Sequence, residues 1–369
     1  MKIKLNSNNF LDLLTTVLPA VSNRSTLPSL SHFLINAESN FLKIYATDLE
    51  IGIESLLKTN IEKEGKLTIP AKNLTDIIRV IDSEYITLQK INNNKYEISS
   101  DDGFTKFNVL CGNVEDYPEF PGVKEDKNLI INTNNLKQGI EKTIFSVSRD
   151  ESRYILCGLY FENDGKNLRI VSTDGRRLSF YESPILESSN KFKAIIPTKA
   201  INILDKLLTD DIETIKISLS ASENQIYFSL GNTIIYSRLI EGDYPNYDQV
   251  IPENPNKQIK VNTIDILNAT KKVMAATIEK STPVKYIFKN NKSIISLEAS
   301  DGSGKSTIPV DYNGDEIEMA FNPEFMINTM KAIKSEKLII ELTSPINPGK
   351  FMPDSSKEKY VGVIMPMRP

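Results

Sequence analysis

Apolar side chains recur at two spacings along this chain, and the switches between them mark out its elements. Lys2 to Leu5 alternates as a strand. Phe10, Leu13, Leu14 and Val17 then share one helical face, which predicts a helix over residues 9–18. Apolar, β-branched runs at 33–37, 42–47 and 51–57 predict strands, and Thr68-Ile69-Pro70 ends another. Leu74, Ile77, Ile78 and Ile81 return to helical spacing over residues 73–81, and short alternating strands follow to Leu110. The succession comes back twice, with helices predicted near 135–146, 199–208, 264–277 and 324–334. Two helices beside antiparallel strands make an α+β unit.

The return is literal in places. Leu42-Lys43-Ile44-Tyr45-Ala46-Thr47-Asp48 comes again as Leu168-Arg169-Ile170-Val171-Ser172-Thr173-Asp174, and worn as Ile295-Ser296-Leu297-Glu298-Ala299-Ser300-Asp301. The three aspartates stand 126 and 127 positions apart. Pro70, Pro197 and Pro323 keep the same step, and Asp116-Tyr117-Pro118 recurs as Asp243-Tyr244-Pro245. A solenoid unit runs only about 20 to 50 residues, whereas this period is the size of a domain. The expectation is three tandem copies of a two-helix, antiparallel-sheet domain, at 1–125, 126–252 and 253–369. Consecutive copies of one domain build arrays or rings, which usually bind rather than catalyse.

Composition narrows the field without adding chemistry. The 369 residues suit three domains of about 100 to 150 each. Hydrophobic content of 40% and charged content of 25% are those of a soluble globular protein. No run reaches the roughly 18 apolar residues of a membrane span, and no apolar signal core opens the chain, so a cytoplasmic protein without membrane contact is expected. Cys111 and Cys157 lie far apart and predict no disulfide. The single histidine, His32, has no ligand partner at metal spacing and reads as a strand-end residue with a local hydrogen bond. Asp174-Gly175 and Asp301-Gly302 follow strands and read as hairpin turns, not as acids of a site. No phosphate-cradling loop or nucleophile elbow is present. No catalytic residue, metal or cofactor is expected.

Charge is informative only by position. Lys72, Asp76 and Arg79 fall opposite the apolar stripe of the second helix. Lys199, Asn202 and Lys206 hold the equivalent face in the second copy, and Lys331 and Lys334 in the third. The first helices of copies two and three add Lys137, Lys142, Lys271 and Lys272. The chain as a whole is at −4, so recurrent cations on one face would draw a polyanion to that face alone. Without a base-reading motif, such binding is to phosphates, hence sequence-independent and salt-sensitive. The residues by themselves leave open a structural array that never closes, and a hydrolase built on Asp48, Asp174 or Asp301.

Val363-Ile364-Met365-Pro366-Met367-Arg368 closely resembles the terminal signature of the bacterial sliding clamps, the beta subunits of DNA polymerase III. Thr26-Leu27-Pro28, Thr47-Asp48-Leu49-Glu50, Thr173-Asp174-Gly175-Arg176-Arg177-Leu178 and Asp243-Tyr244-Pro245-Asn246-Tyr247 resemble other landmarks of that family, in order, across the whole chain. The resemblance implies a non-catalytic processivity factor: a head-to-tail homodimer closed as a ring around double-stranded DNA. Its implied partners are the polymerase III catalytic subunit, the clamp loader, other DNA polymerases and repair proteins. A specialised clamp paralogue is the alternative.

Carried over residue by residue, the family's partner-peptide pocket is implied at Arg153, Leu156, Thr173, Gly175, Arg176, Arg177, Leu178, Pro245, Val250 and Val363 through Arg368. Arg24 and Arg149 align with segments that touch DNA, joining Lys72, Arg79, Lys142, Lys199, Lys206, Lys271 and Lys331 on the DNA-facing side. The implied dimer seam sets the strand at 104–109 against copy three of the other subunit. Lys106, Phe107 and Val109 lie on one side of it, Phe107 and Val109 as apolar anchors, and Ala276 and Ile278 on the other. Three departures stand out: Asp150 where the family often has glutamine, Asp248-Gln249 where it commonly has arginine, and Gly302-Ser303-Gly304-Lys305 where it carries several acids.

Overall fold

The computed structural model describes the chain apart from residues 23–26, 93, 123–124, 223, 356–358 and 368–369, and the side chains of 125–126. Arg24 and Arg368 therefore lie outside the described residues. Asparagines placed just ahead of three helices cap them. Asn6, closing the strand Lys2–Asn6, accepts from the Asn9 N–H at 3.2 Å and caps α1 (Ser7–Val17), which begins two residues ahead of the predicted start. The α2 helix (Ala71–Val80) follows the strand Gly65–Pro70. In the second repeat lie α3 (Thr133–Thr143) and α4 (Thr198–Leu207). Asn262 caps α5 (Thr263–Met274) and Asn322 caps α6 (Pro323–Ala332), each accepting two backbone N–H groups at 2.9–3.3 Å. Every apolar position predicted for the first two helices is buried. Among the described residues no helix is long and apolar enough to cross a membrane.

The chain forms two compact units, each drawing on two repeats: residues 1–133 with 199–239, and 134–198 with 240–369. Sheet continuity is the cause. In the first unit Ile51–Lys58 pairs antiparallel with Thr233–Arg238, Ile53 opposite Ile235. In the second, Arg177–Pro184 pairs antiparallel with Lys359–Ile364, Leu178 opposite Val363. These are the same joint made twice. One strand of each follows its repeat's Thr-Asp turn, and the other is the last strand of the next repeat. Two strands of the same kinds are left over, Lys106–Leu110 at the end of the first repeat and Gly302–Pro309 after the Asp301 turn. Each is the edge of its own sheet.

The third turn is tighter than its counterpart. Thr173 pairs with Leu178 across four residues, whereas Ala299 pairs with Gly302 across only Ser300 and Asp301. The glycines that follow have a packing reason. A Cβ on Gly302 would stand 2.1 Å from the Ala276 carbonyl oxygen, and one on Gly304 would stand 3.1 Å from the Val273 Cα. The end of α5 thus rests on this strand at backbone distance, which only glycine permits. Gly302→Ala is therefore expected to destabilise the fold by about 1 to 3 kcal/mol, the usual cost of overpacking. A urea midpoint equal to that of the parent protein would mean that the helix end moves away freely.

Candidate partner-binding pocket

The Thr173–Arg177 turn is held by its own side chains. Asp174 Oδ1 accepts from the Arg176 and Arg177 backbone N–H groups at 2.9 and 3.1 Å, and Gly175 takes a φ of +82°. Thr173 Oγ1 donates to the Arg177 carbonyl at 2.6 Å and accepts from the Gly175 N–H at 3.0 Å. Asp48 and Thr47 repeat this arrangement in the first copy. Asp301 departs from it, accepting from Thr277 Oγ1 at 2.6 Å and the Ile278 N–H at 2.9 Å. Those two bonds hold its carboxyl below the ordinary carboxylate value. Asp48 and Asp174 hold their own turns, whereas Asp301 sits in its hairpin but spends its carboxylate on the segment after α5.

The arginines beside this turn divide by role. Arg177 is folded inward. Its guanidinium sits between Phe325, 4.3 Å from the ring centre, and Phe145, 5.6 Å away. Its Nε donates to Asp174 Oδ2 at 3.0 Å and its Nη2 to the Phe145 carbonyl. Burial pulls its pKa below the ordinary value, against the pull of Asp174. It is thus a structural cation rather than a rim donor. Arg153 lies over the turn, donating from Nη1 to the Asp174 carbonyl at 2.9 Å and from Nε to Asp150 at 3.2 Å. Asp150 also accepts from the Ser152 hydroxyl and backbone N–H, which hold its carboxyl low, so this departure serves as a local cap. Arg176 is exposed.

Arg153, Leu156 and Pro245 line one hollow of about 240 Å³, with Ser152, Tyr154 and Ile155. Tyr154 and Ile155 were not among the expected lining residues. Their place between Arg153 and Leu156 is the signal that names them, because one short 3₁₀ segment, Glu151–Cys157, carries them all. Beneath lies an apolar floor of Tyr160, Val171, Leu178, Ile195, Tyr247 and Val363. Tyr160 stacks on Tyr244 at 4.7 Å. The C-terminal segment runs beside the turn: the Met365 N–H donates to the Arg176 carbonyl at 2.9 Å, and the Met367 N–H to the Ala320 carbonyl at 2.8 Å. Val363 and Ile364 are core residues of a paired strand, while Met365 is 40% exposed and Val250 and Pro245 are exposed. Pro366 and Met367 are half-buried. Among the described residues of this segment, Met365, Pro366 and Met367 are thus free to serve as wall rather than scaffold.

The cations expected to face DNA separate into two groups. Lys72, Arg79, Arg149, Lys199, Lys206, Lys271 and Lys331 are exposed. Arg79 pairs with Asp76 at 3.1 Å, and Lys199 with Asp48. Lys142 is a correction: it is 1% exposed. Its Nζ donates to the Ala332 carbonyl at the end of α6 at 3.1 Å and stands 5.7 Å from the Tyr360 ring. A lysine on the helical face opposite the stripe is ordinarily solvated, but here α6 and the last strand cover that face.

On the Lys106–Leu110 edge Lys106 is exposed and Phe107 half-buried. Val109, expected as an anchor, is packed into the core because alternation turns it inward. The exposed apolar groups there are Phe104 and Leu110. Ala276 is half-buried, and Ile278 is 91% exposed. His32 is a strand-end residue, its Nδ1 3.0 Å from the Pro28 carbonyl.

Comparison with known proteins accounts for the whole chain. Residues 1–121, 130–246 and 248–368 match models of the N-terminal, central and C-terminal domains of the DNA polymerase III beta subunit. The beta sliding clamp of Chlamydia muridarum is 28% identical over 370 residues, covering all of this chain and 99% of that one. That of Haemophilus influenzae is also 28% identical, with both chains covered completely. Among solved structures, the Bacillus subtilis DNA polymerase sliding clamp is 26% identical with a TM-score of 0.94, covering all of this chain and 99% of that one. The Bartonella birtlesii sliding clamp, bound to griselimycin, is 30% identical with a TM-score of 0.91, both chains covered completely. With three domain models in order and full-length relatives, the chain belongs to the DNA polymerase III beta-subunit family, the beta sliding clamps, and is a DNA polymerase processivity factor.

Proposed function

We propose that the chain acts as a head-to-tail homodimer closed around duplex DNA, built from domains at 1–125, 126–252 and 253–369. The observation that carries this reading is the pair of left-over strand edges. Each internal joint unites a strand that follows a turn aspartate with the last strand of the next repeat. The free edges, Gly302–Pro309 and Lys106–Leu110, are one strand of each kind. A second copy supplies the missing partner for both, and two such joints close the assembly. Phe104, Leu110 and Ile278 then lose their exposure to water. The exposed lysines and arginines of the helices meet phosphates without reading bases.

The hollow lined by Arg153, Leu156 and Pro245, with Met365 to Met367 beside it, receives peptide segments of the polymerase III catalytic subunit, the clamp loader, and other polymerases and repair proteins. Its wall of leucine, isoleucine and methionine suits several partners in turn. The chain itself carries out no reaction and works in the cytoplasm.

Sedimentation across a concentration series is expected to stop at two chains, whereas an open array keeps growing. Phe104→Asp combined with Ile278→Asp should shift the boundary to a single chain; an unmoved boundary would place the interface elsewhere. Protein loaded on nicked circular DNA should run off once the circle is cut. Retention on linear DNA with free ends would sink the encirclement reading.

Deleting residues 365–369 should weaken a leucine- and aromatic-containing partner peptide at least tenfold by calorimetry, since each buried apolar side chain contributes roughly 1.5 to 3 kcal/mol. The deletion should leave the dimer intact. Equal affinity for both proteins would put the pocket somewhere else.

A further inference from the structure

Where the second repeat packs an apolar floor, the first repeat is hollow. In both, a backbone N–H just past the last strand donates to the strand ahead of the second helix. Gly112 N–H reaches the Thr68 carbonyl, and Ile240 N–H reaches the Ile195 carbonyl, each at 2.9 Å. Thr68 with Gly112 is therefore the counterpart of Ile195 with Ile240. In the second repeat those isoleucines pack with Ile155 in the apolar floor. In the first repeat a hollow of about 470 Å³ stands at this place.

Its polar groups are unusual for an empty space. A Cβ on Gly112 would lie 2.9 Å from Thr68 Oγ1 and 3.8 Å from His32 Nε2, so both atoms border the volume that glycine vacates. Thr68 is 1% exposed, and its hydroxyl has no hydrogen-bond partner among the described residues. Buried hydroxyls are rarely left so. His32 Nδ1 lies 3.0 Å from the Pro28 carbonyl, which can only accept, so in the neutral ring the hydrogen sits on Nδ1 and Nε2 turns a lone pair outward. Asp116 adds a carboxylate to the lining, Leu27 and Pro28 add an apolar wall, and among the described residues no lysine or arginine lines the hollow.

We propose that this hollow is a second binding site, separate from the partner pocket, for a peptide that carries a lysine or arginine beside an apolar residue. The site offers acceptors and one negative charge, which select a donor cation and oppose a carboxylate or phosphate. The apolar neighbour packs on Leu27 and Pro28. A wholly apolar peptide would leave the Thr68 hydroxyl unpaired. The proposal does not depend on ring closure.

One histidine in the sequence makes the test direct, because isotope-labelled histidine in the full-length protein gives a single imidazole signal. N-acetyl-leucyl-lysine amide should shift that signal saturably, and N-acetyl-leucyl-glutamate amide should not. Thr68→Val, nearly isosteric, should weaken the response about tenfold, the usual effect of losing a hydrogen bond to a charged group. Gly112→Ile, which restores the side chain of the second repeat, should abolish it, and deletion of residues 365–369 should leave it unchanged. An absent or non-saturating shift, equal shifts with the glutamate peptide, unchanged affinity in Thr68→Val, or loss upon the C-terminal deletion would each overturn the assignment.

Discussion

Everything in this molecule depends on antiparallel strand pairing between repeats. A sheet edge presents unpaired N–H and C=O groups, and those groups seek a partner. Here the strand after the turn aspartate of one repeat takes the last strand of the next, once through Ile51–Lys58 and once through Arg177–Pro184. The joint makes two continuous sheets and shares the middle repeat between two compact units. It also leaves one complementary pair of edges at Lys106–Leu110 and Gly302–Pro309. Arrays of this kind need no chemistry to assemble. They need only a repeat whose two outer strands match.

The charges held against the chain serve the same architecture. Lys142 donates from its ammonium to the Ala332 carbonyl at the end of α6, where a cation is favoured by the helix dipole. Arg177, set between two phenylalanine rings, fixes the turn beneath Arg153. Asp48 and Asp174 bind backbone N–H groups of their own turns. Lys142 is buried, and a buried charge deprived of its partner typically costs about 3 to 5 kcal/mol, more than a surface pair such as Arg79 with Asp76, worth about 0.2 to 1 kcal/mol.

The repeats have diverged where packing, not topology, sets the residue. The second repeat builds an apolar floor with Ile195 and Ile240, while the first keeps Thr68 and Gly112 and stays hollow. The third shortens its turn and admits glycines so that α5 can lie against the strand. Each change is compatible with one fold because strand pairing uses backbone groups, which side-chain exchange leaves in place.

The sequence by itself determined the threefold repeat, the α+β class, the apolar stripes of the helices and the turn role of the aspartates. Those features are local, written in spacings of two and of three to four residues and in an unbroken period near 126. Its resemblance to the sliding clamps also named Arg153, Leu156 and Pro245, which one short segment and one turn bring to the same hollow. The tertiary structure alone decided which candidates are accessible. Lys142 and Arg177 look like surface cations in the sequence, yet helices and rings from distant residues cover them. Val109 looks like a seam anchor, yet the face of its strand that carries it packs against the core. Val363 and Ile364 look like pocket wall, yet they are core because their strand lies between two others. Burial is a sum over contacts from remote parts of the chain, and local periodicity carries no record of that sum.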